Sequence, residues 1–135
     1  CPGKSHDVRI ESDLAASVLV RGSEGQLDIV LVNLIMNAVH AAAEAGADPR
    51  VTIASRVEDD SVAISITDNG PGIPQAQRNQ LFDPFFTTGS SGLGLGLAIS
   101  QSIVTGIGGN LACDPDFEGG ARFVMRLPLA AGRPA

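Results

Sequence analysis

A chain of 135 residues, 44% apolar and 18% charged, has room for one globular domain with its own core, which excludes an intrinsically disordered segment. With no Trp, no Tyr and five Phe, that core is expected to be aliphatic. A formal net charge of −6 argues against nucleic acid or an anionic membrane surface as the main partner, while backbone N–H groups or a bound cation can still hold an anion locally. The two cysteines, Cys1 and Cys113, stand in no metal or redox spacing, and a reducing compartment is the simplest expectation. No apolar run reads as long enough to span a bilayer, and no signal-peptide pattern is present. The first residue is Cys1 rather than Met, so residues 1–135 are expected to be a single-domain piece of a larger protein.

In chain order, Asp7–Glu11 and Ser17–Arg21 read as two short strands. A long helix rich in Leu, Ile, Val and Ala is expected from Ser23 to about Ala45, ended by Gly46 and Pro49. Alternation of Val51, Ile53 and Val57, then of Val62, Ile64 and Ile66, with a Glu58-Asp59-Asp60 turn between them, predicts a hairpin. Asp68-Asn69-Gly70-Pro71-Gly72-Ile73-Pro74 is an irregular bend. A short helix near Gln75–Leu81, a loop over Phe82–Leu93, a helix over Gly94–Thr105 and a hairpin of Asn110–Asp114 with Arg122–Leu127 complete the chain. This order predicts a two-layer α/β sandwich: a mixed sheet with helices packed on one face.

Three segments can carry chemistry. The long helix is apolar around most of its circumference, which is the mark of a buried helix. Yet Gln26, Asn33, Asn37, His40 and Glu44 fall in one narrow stripe at about 100° per residue. That stripe is either a solvated face or a polar wall whose amide oxygens can ligate a hard cation such as Mg²⁺, with His40 able to touch an anion. Asp68 closes an apolar strand ahead of the glycine bend. The bend is either a hairpin turn or a departure from the sheet edge, and the prolines with no returning strand favour departure. An Asp fixed there can accept a hydrogen bond from a ligand amino group, and the glycines admit a flat ligand close to the backbone. In the third segment, Gly92-Leu93-Gly94-Leu95-Gly96-Leu97 enters a helix, leaving N–H groups free toward negative charge or simply making a flexible loop. It is neither a dinucleotide fingerprint, since no strand precedes it, nor a P-loop, since Gly-Lys-Ser/Thr is missing.

An Asn-rich helix, an Asp-Asn-Gly-Pro-Gly-Ile bend, a Phe-containing loop and a Gly-Leu-Gly-Leu helix start, in that order, resemble the catalytic ATP-binding domain of sensor histidine kinases (the GHKL or Bergerat superfamily, shared with gyrase B, the MutL repair proteins and a class of heat-shock chaperones). The resemblance covers nearly the whole chain. Val32–Ala38 is similar to the family's N box, which implies that Asn37 ligates Mg²⁺, Asn33 assists, and His40 stands where a basic residue often faces the phosphates. Asp68–Ile73 resembles the G1 box, which implies that Asp68 reads the adenine amino group, with Gly70, Gly72 and Ile73 beside it. Leu81-Phe82-Asp83-Pro84-Phe85-Phe86 resembles the F box at the base of a lid, which brings in Phe82 and Thr88. Gly92, Leu93, Gly94, Leu95, Gly96 and Leu97 resemble the G2 box, whose backbone N–H groups hold phosphates. Phe85-Phe86-Thr87-Thr88 with Gly-Leu-Gly-Leu-Gly-Leu-Ala-Ile-Ser is similar to the nitrogen-regulation and C4-dicarboxylate sensor branch. That branch commonly has Lys after Phe-Thr-Thr, where this chain has Gly89. The resemblance therefore implies weaker ATP binding or another lid cation, for which Arg78 is a candidate.

The resemblance also implies a protein histidine kinase whose ATP-Mg²⁺ site donates the γ-phosphoryl group to a His on a separate dimerisation domain, with a response regulator downstream. Neither nucleic acid nor a membrane is an expected contact of this domain, which is expected in the cytoplasm, as part of a membrane-anchored sensor. His6 precedes strand-like Val8-Arg9-Ile10, and His40 lies among the pocket residues, so neither reads as the acceptor. Superfamily members that hydrolyse ATP themselves carry a Glu where this chain has Asn33, and an amide takes no proton from water. A self-contained ATPase and a nucleotide-binding module without kinase activity are the alternatives.

Overall fold

The structure is a computed structural model that describes residues 9–13, 24–44, 48–83 and 94–128. The elements are β1 (Arg9–Asp13), α1 (Glu24–Ala43), β2 (Arg50–Glu58), β3 (Ser61–Asp68), a 3₁₀ helix (Gln75–Gln80), α2 (Gly94–Gly106), β4 (Asn110–Cys113) and β5 (Ala121–Pro128). The expected strand at Ser17–Arg21, the lid positions Thr88 and Gly89, and Gly92 and Leu93 lie outside the described residues.

One sheet runs in the order β1-β2-β3-β5-β4. β1 pairs with β2 in parallel, through the crossover that contains α1, and the other pairings are antiparallel, so the sheet is mixed as the pattern predicts. Strand alternation then sorts the residues by face. Val51, Val62, Ile66, Leu111, Phe123, Met125 and Leu127 are buried together with Val30, Leu34, Ala38 and Ala42 of α1 and Leu97 and Val104 of α2. Each fully buried aliphatic or aromatic side chain of this kind contributes about 1.5–3 kcal/mol relative to leaving it in water. The opposite sheet face is crossed by ion pairs, Glu58 receiving Arg56 at 2.6 Å and Arg126 at 3.2 Å.

Several expectations are corrected. α1 is not buried all round: Ile29, Val32 and Met36 are 49%, 57% and 43% exposed on the side away from the sheet, because the sheet covers only one face of α1. By length and composition, with a mean hydropathy of 1.4, the helix over Gly25–Ala43 could also span a membrane, contrary to the sequence reading. Its Val30, Leu34, Ala38 and Ala42 row packs on the sheet, which makes it the central helix of the sandwich. The expected helix at Gln75–Leu81 is 3₁₀, opened by the i→i+3 bond from Gln77 N–H to the Pro74 carbonyl at 2.9 Å. Six residues without a side-chain cap are too few to carry the cost of α nucleation.

Candidate functional site

The inward row of β3, Val62, Ile64, Ile66, has Asp68 as its next member, because side chains alternate with a period of two. Asp68 sits opposite Val51 on β2 and Ala121 on β5 and is only 2% exposed. One oxygen, Oδ1, accepts both the Gly70 N–H at 2.9 Å and the Ala121 N–H at 3.3 Å. Oδ2 takes neither bond. Burial raises the carboxyl pKa above the usual Asp range, and the two backbone N–H groups pull it partly back. The strand end thus presents a held carboxylate with one oxygen to spare.

The bend that follows is tied down on three sides. Asn69 donates its backbone N–H to the Arg50 carbonyl at 3.2 Å, accepts the Arg50 N–H on Oδ1 at 2.8 Å, and donates Nδ2 to the Asp48 carbonyl at 2.8 Å. Gly70 presses on the end of α1: a methyl group there would fall 2.3 Å from the Ala41 carbonyl oxygen. Gly72 has φ +82°, and a methyl group on it would lie 3.2 Å from the Gly120 carbonyl oxygen. Ile73 and Phe82 pack against the core, Phe82 edge-on to Phe123 with centroids 6.2 Å apart. Phe82 therefore fixes the end of the 3₁₀ segment to the core. Arg78, expected as a substitute lid cation, is already committed: its Nε donates to the Ile73 carbonyl at 3.3 Å and a terminal nitrogen to the Pro115 carbonyl at 2.7 Å.

The polar stripe of α1 runs past this bend. Asn33 and Asn37 are half-buried and His40 is exposed. Asn33 reaches α2, donating Nδ2 to the Gly96 carbonyl at 3.4 Å and to the Ser100 hydroxyl at 3.2 Å. Gly94 and Leu95 open α2, while the Leu97 side chain points into the core, leaving only its backbone for a ligand. A methyl group at Gly96 would meet Asn33 at an ordinary 3.5 Å, so the protein itself leaves room there. The structure thus gathers Asp68, Gly70 and Gly72 at the Ala41 end of α1, and Gly96 at the Asn33 end, with Asn37 between.

Two participants escaped the sequence reading. Asn69 was hidden as the middle letter of a turn motif. Ser100 did leave a signal, as a hydroxyl interrupting the apolar stripe of Leu97 and Val104. Among the described residues no cluster of three or more His, Cys, Asp or Glu could hold a metal. The donor set suits a hard ion that takes one amide oxygen from the protein and its remaining ligands from phosphate and water, which is the habit of Mg²⁺.

A buried carboxylate at a strand end, a glycine bend pressed on an Asn-bearing helix and a glycine-opened second helix under a mixed sheet define a nucleotide-binding α/β sandwich of the histidine kinase type. The chain belongs to the histidine kinase-, DNA gyrase B- and HSP90-like ATPase family, whose model matches residues 22–131. It is 39% identical over 137 residues to the C4-dicarboxylate transport sensor protein DctS of Rhodobacter capsulatus, covering 98% of this chain and 20% of that protein. The catalytic domain of histidine kinase ThkA, solved without nucleotide, superposes with a TM-score of 0.79 at 30% identity, covering 91% of this chain and 80% of that one. Full-length ShkA, solved in complex with AMPPNP, superposes with a TM-score of 0.79 at 26% identity, covering 96% of this chain and 27% of that one. The chain spans between 12% and 22% of the length of the curated relatives it matches.

Proposed function

We propose that this domain binds ATP with Mg²⁺ and serves as the phosphoryl donor of a sensor histidine kinase, passing the γ-phosphoryl group to a His on a separate dimerisation domain and, through it, to a response regulator. In this reading the 135 residues form one domain of a longer, membrane-anchored sensor and work in the cytoplasm. The observation that carries the reading is Asp68, a buried carboxylate with one oxygen fixed by two backbone N–H groups and the other open to a donor. An exocyclic amino group such as that of adenine is such a donor, whereas the carbonyl of guanine would face the carboxylate as a second acceptor. Gly70, Gly72 and Ile73 flank the base, with Phe82 and Thr88 at the foot of the lid.

The phosphate end falls to the opening of α2. N–H groups from Gly92 through Leu97 and the positive end of the helix take up negative charge. Asn37 supplies an amide oxygen to Mg²⁺, with Asn33 and His40 beside it. Bound there, Mg²⁺ would supply neutralisation of phosphate charge. Phosphoryl transfer is then mainly positioning and charge neutralisation, for which the protein needs no nucleophile of its own. Asn33 is no general base, since its amide cannot take a proton and its nitrogen is bonded to α2. That favours donation to a partner domain over self-contained hydrolysis.

Calorimetric titration with AMPPNP, with and without Mg²⁺, tests the binding step. Saturable binding strengthened by Mg²⁺ and weak binding of the guanine analogue are expected; no saturable binding would overturn the reading. The transfer step is tested by joining the chain to a dimerisation domain with an acceptor His and following label from γ-labelled ATP into acid-labile phosphohistidine.

A further inference from the structure

Ser100 has no place in the functional reading so far, yet it is completely buried, at 0% exposure, on the inward side of α2. Asp68 is the other polar residue found buried among the described residues. Leu97 and Val104, one turn to either side, are core aliphatics, so packing alone calls for an aliphatic at position 100. A hydroxyl taken out of water must be hydrogen-bonded or it destabilises the fold. Its partner is Asn33 Nδ2, at 3.2 Å across the α1–α2 interface.

The Ser100 hydroxyl can donate or accept, so the other contact of Asn33 decides which way round its amide sits. Its second contact on α2 is the Gly96 carbonyl, at 3.4 Å, and a carbonyl oxygen can only accept. Turning the amide over would set oxygen against oxygen there. The NH₂ group must therefore face α2, with one hydrogen for Gly96 and one for Ser100, and the oxygen is left as the unspent end. Gly96 also belongs to the first turn of α2, the turn assigned to the phosphates. One side chain of α1 thus grips that turn.

We infer that Ser100 is a positioning residue for the triphosphate: together with the Gly96 carbonyl it binds the Asn33 NH₂ group, fixes the first turn of α2 against α1 and leaves the Asn33 oxygen as an acceptor beside Asn37. The inference rests on the ATP-Mg²⁺ reading and adds to it a residue outside the four motifs. It assigns Asn33 to the alignment of the phosphate end, with the metal contact left to Asn37.

The test compares wild type, Ser100→Ala and Ser100→Thr, the last keeping the hydroxyl. Two-dimensional NMR follows the Asn33 side-chain NH₂ signal and titrates Mg²⁺-AMPPNP and, separately, adenosine, which engages only the base end. Ser100→Ala is expected to weaken Mg²⁺-AMPPNP about 3–10-fold, the range of one lost hydrogen bond, to leave adenosine unchanged and to shift the Asn33 NH₂ signal. Ser100→Thr is expected to restore both. Equal loss for the two ligands would overturn the inference, since it would mean general damage to the fold. So would unchanged Mg²⁺-AMPPNP affinity in Ser100→Ala while wild type binds, which leaves the ATP reading standing. Failure of wild type to bind either ligand would overturn both readings. Should Ser100→Ala fail to fold, Asn33→Asp decides: a carboxylate facing the Gly96 carbonyl should bring the same phosphate-specific loss, and wild-type affinity there would overturn the inference.

Discussion

A methyl group on the α-carbon of Gly120 would lie 1.9 Å from the carbonyl oxygen of Asp68, so the start of β5 and the end of β3 meet at a distance only glycine permits. Gly120 also has φ +147°, a conformation that L side chains rarely adopt. The turn into β5 is thereby locked onto the strand end that carries the buried carboxylate.

Gly120→Ala and Gly70→Ala are each expected to destabilise the domain by about 2–4 kcal/mol or to prevent folding, because the added carbon meets backbone rather than a movable side chain. Gly25→Ala, with nothing within 4 Å of the new methyl group, is the control. In the first turns of α1 it should gain about 0.5–1 kcal/mol. Urea denaturation midpoints check all three.

Stability is expected to fall as pH rises through the Asp68 transition. Burial holds its folded pKa above the unfolded value, so between the two the folded state binds more protons than the unfolded state. The contribution is favourable below the unfolded pKa and is lost as pH climbs through the raised folded pKa. Asp68→Asn removes this slope. The measurement is the difference between wild-type and variant unfolding free energy across the acidic range, and a flat difference would contradict it.

Ligand binding should run the other way. In the proposed site an ionised Asp68 accepts from the base, so affinity for AMPPNP should drop as pH falls through the raised pKa. At neutral pH, Asp68→Asn should weaken AMPPNP by tenfold or more, in line with about 1.5–3 kcal/mol for a charge-assisted bond, and narrow the preference over the guanine analogue. Calorimetry with both analogues tells these apart.

Asn69→Ala removes the acceptor of the part-buried Arg50 N–H and the tie to the Asp48 carbonyl, and about 0.5–1.5 kcal/mol of stability should go with each hydrogen bond. Asn69→Asp is no rescue, since it keeps an acceptor for Arg50 but sets a carboxylate against the Asp48 carbonyl. Thermal unfolding of the two variants measures the effect.

Much of this architecture was legible in the sequence because its signals are local. Val62, Ile64 and Ile66 announced β3 and, by their period, the side on which Asp68 lies. The prolines after Gly70 favoured departure from the sheet over a hairpin, and the chain does leave the sheet there. What the sequence hid depends on contacts between distant segments. The reach of Asn33 to Ser100 joins residues 67 positions apart, and periodicity within either helix says nothing of it. Arg78 looked like a free cation because its two acceptors, Ile73 and Pro115, are backbone carbonyls, which leave no trace in side-chain chemistry. The outward Ile29, Val32 and Met36 misled for a related reason: composition does not show on which side the neighbouring layer stops.

α1 touches the bend at Ala41 and the opening of α2 at Asn33. Eight residues of helix separate the two contacts, about 12 Å of rise. The helix is in effect a ruler between the two ends of the proposed nucleotide site, and its graduation is angular as well as axial. One residue inserted or deleted between Asn33 and Ala41 would swing one contact by about 100° out of line with the other. An exchange of residue type at the outward Met36 disturbs neither contact, whereas a change in the number of residues disturbs both, so the length of this stretch is the stricter requirement.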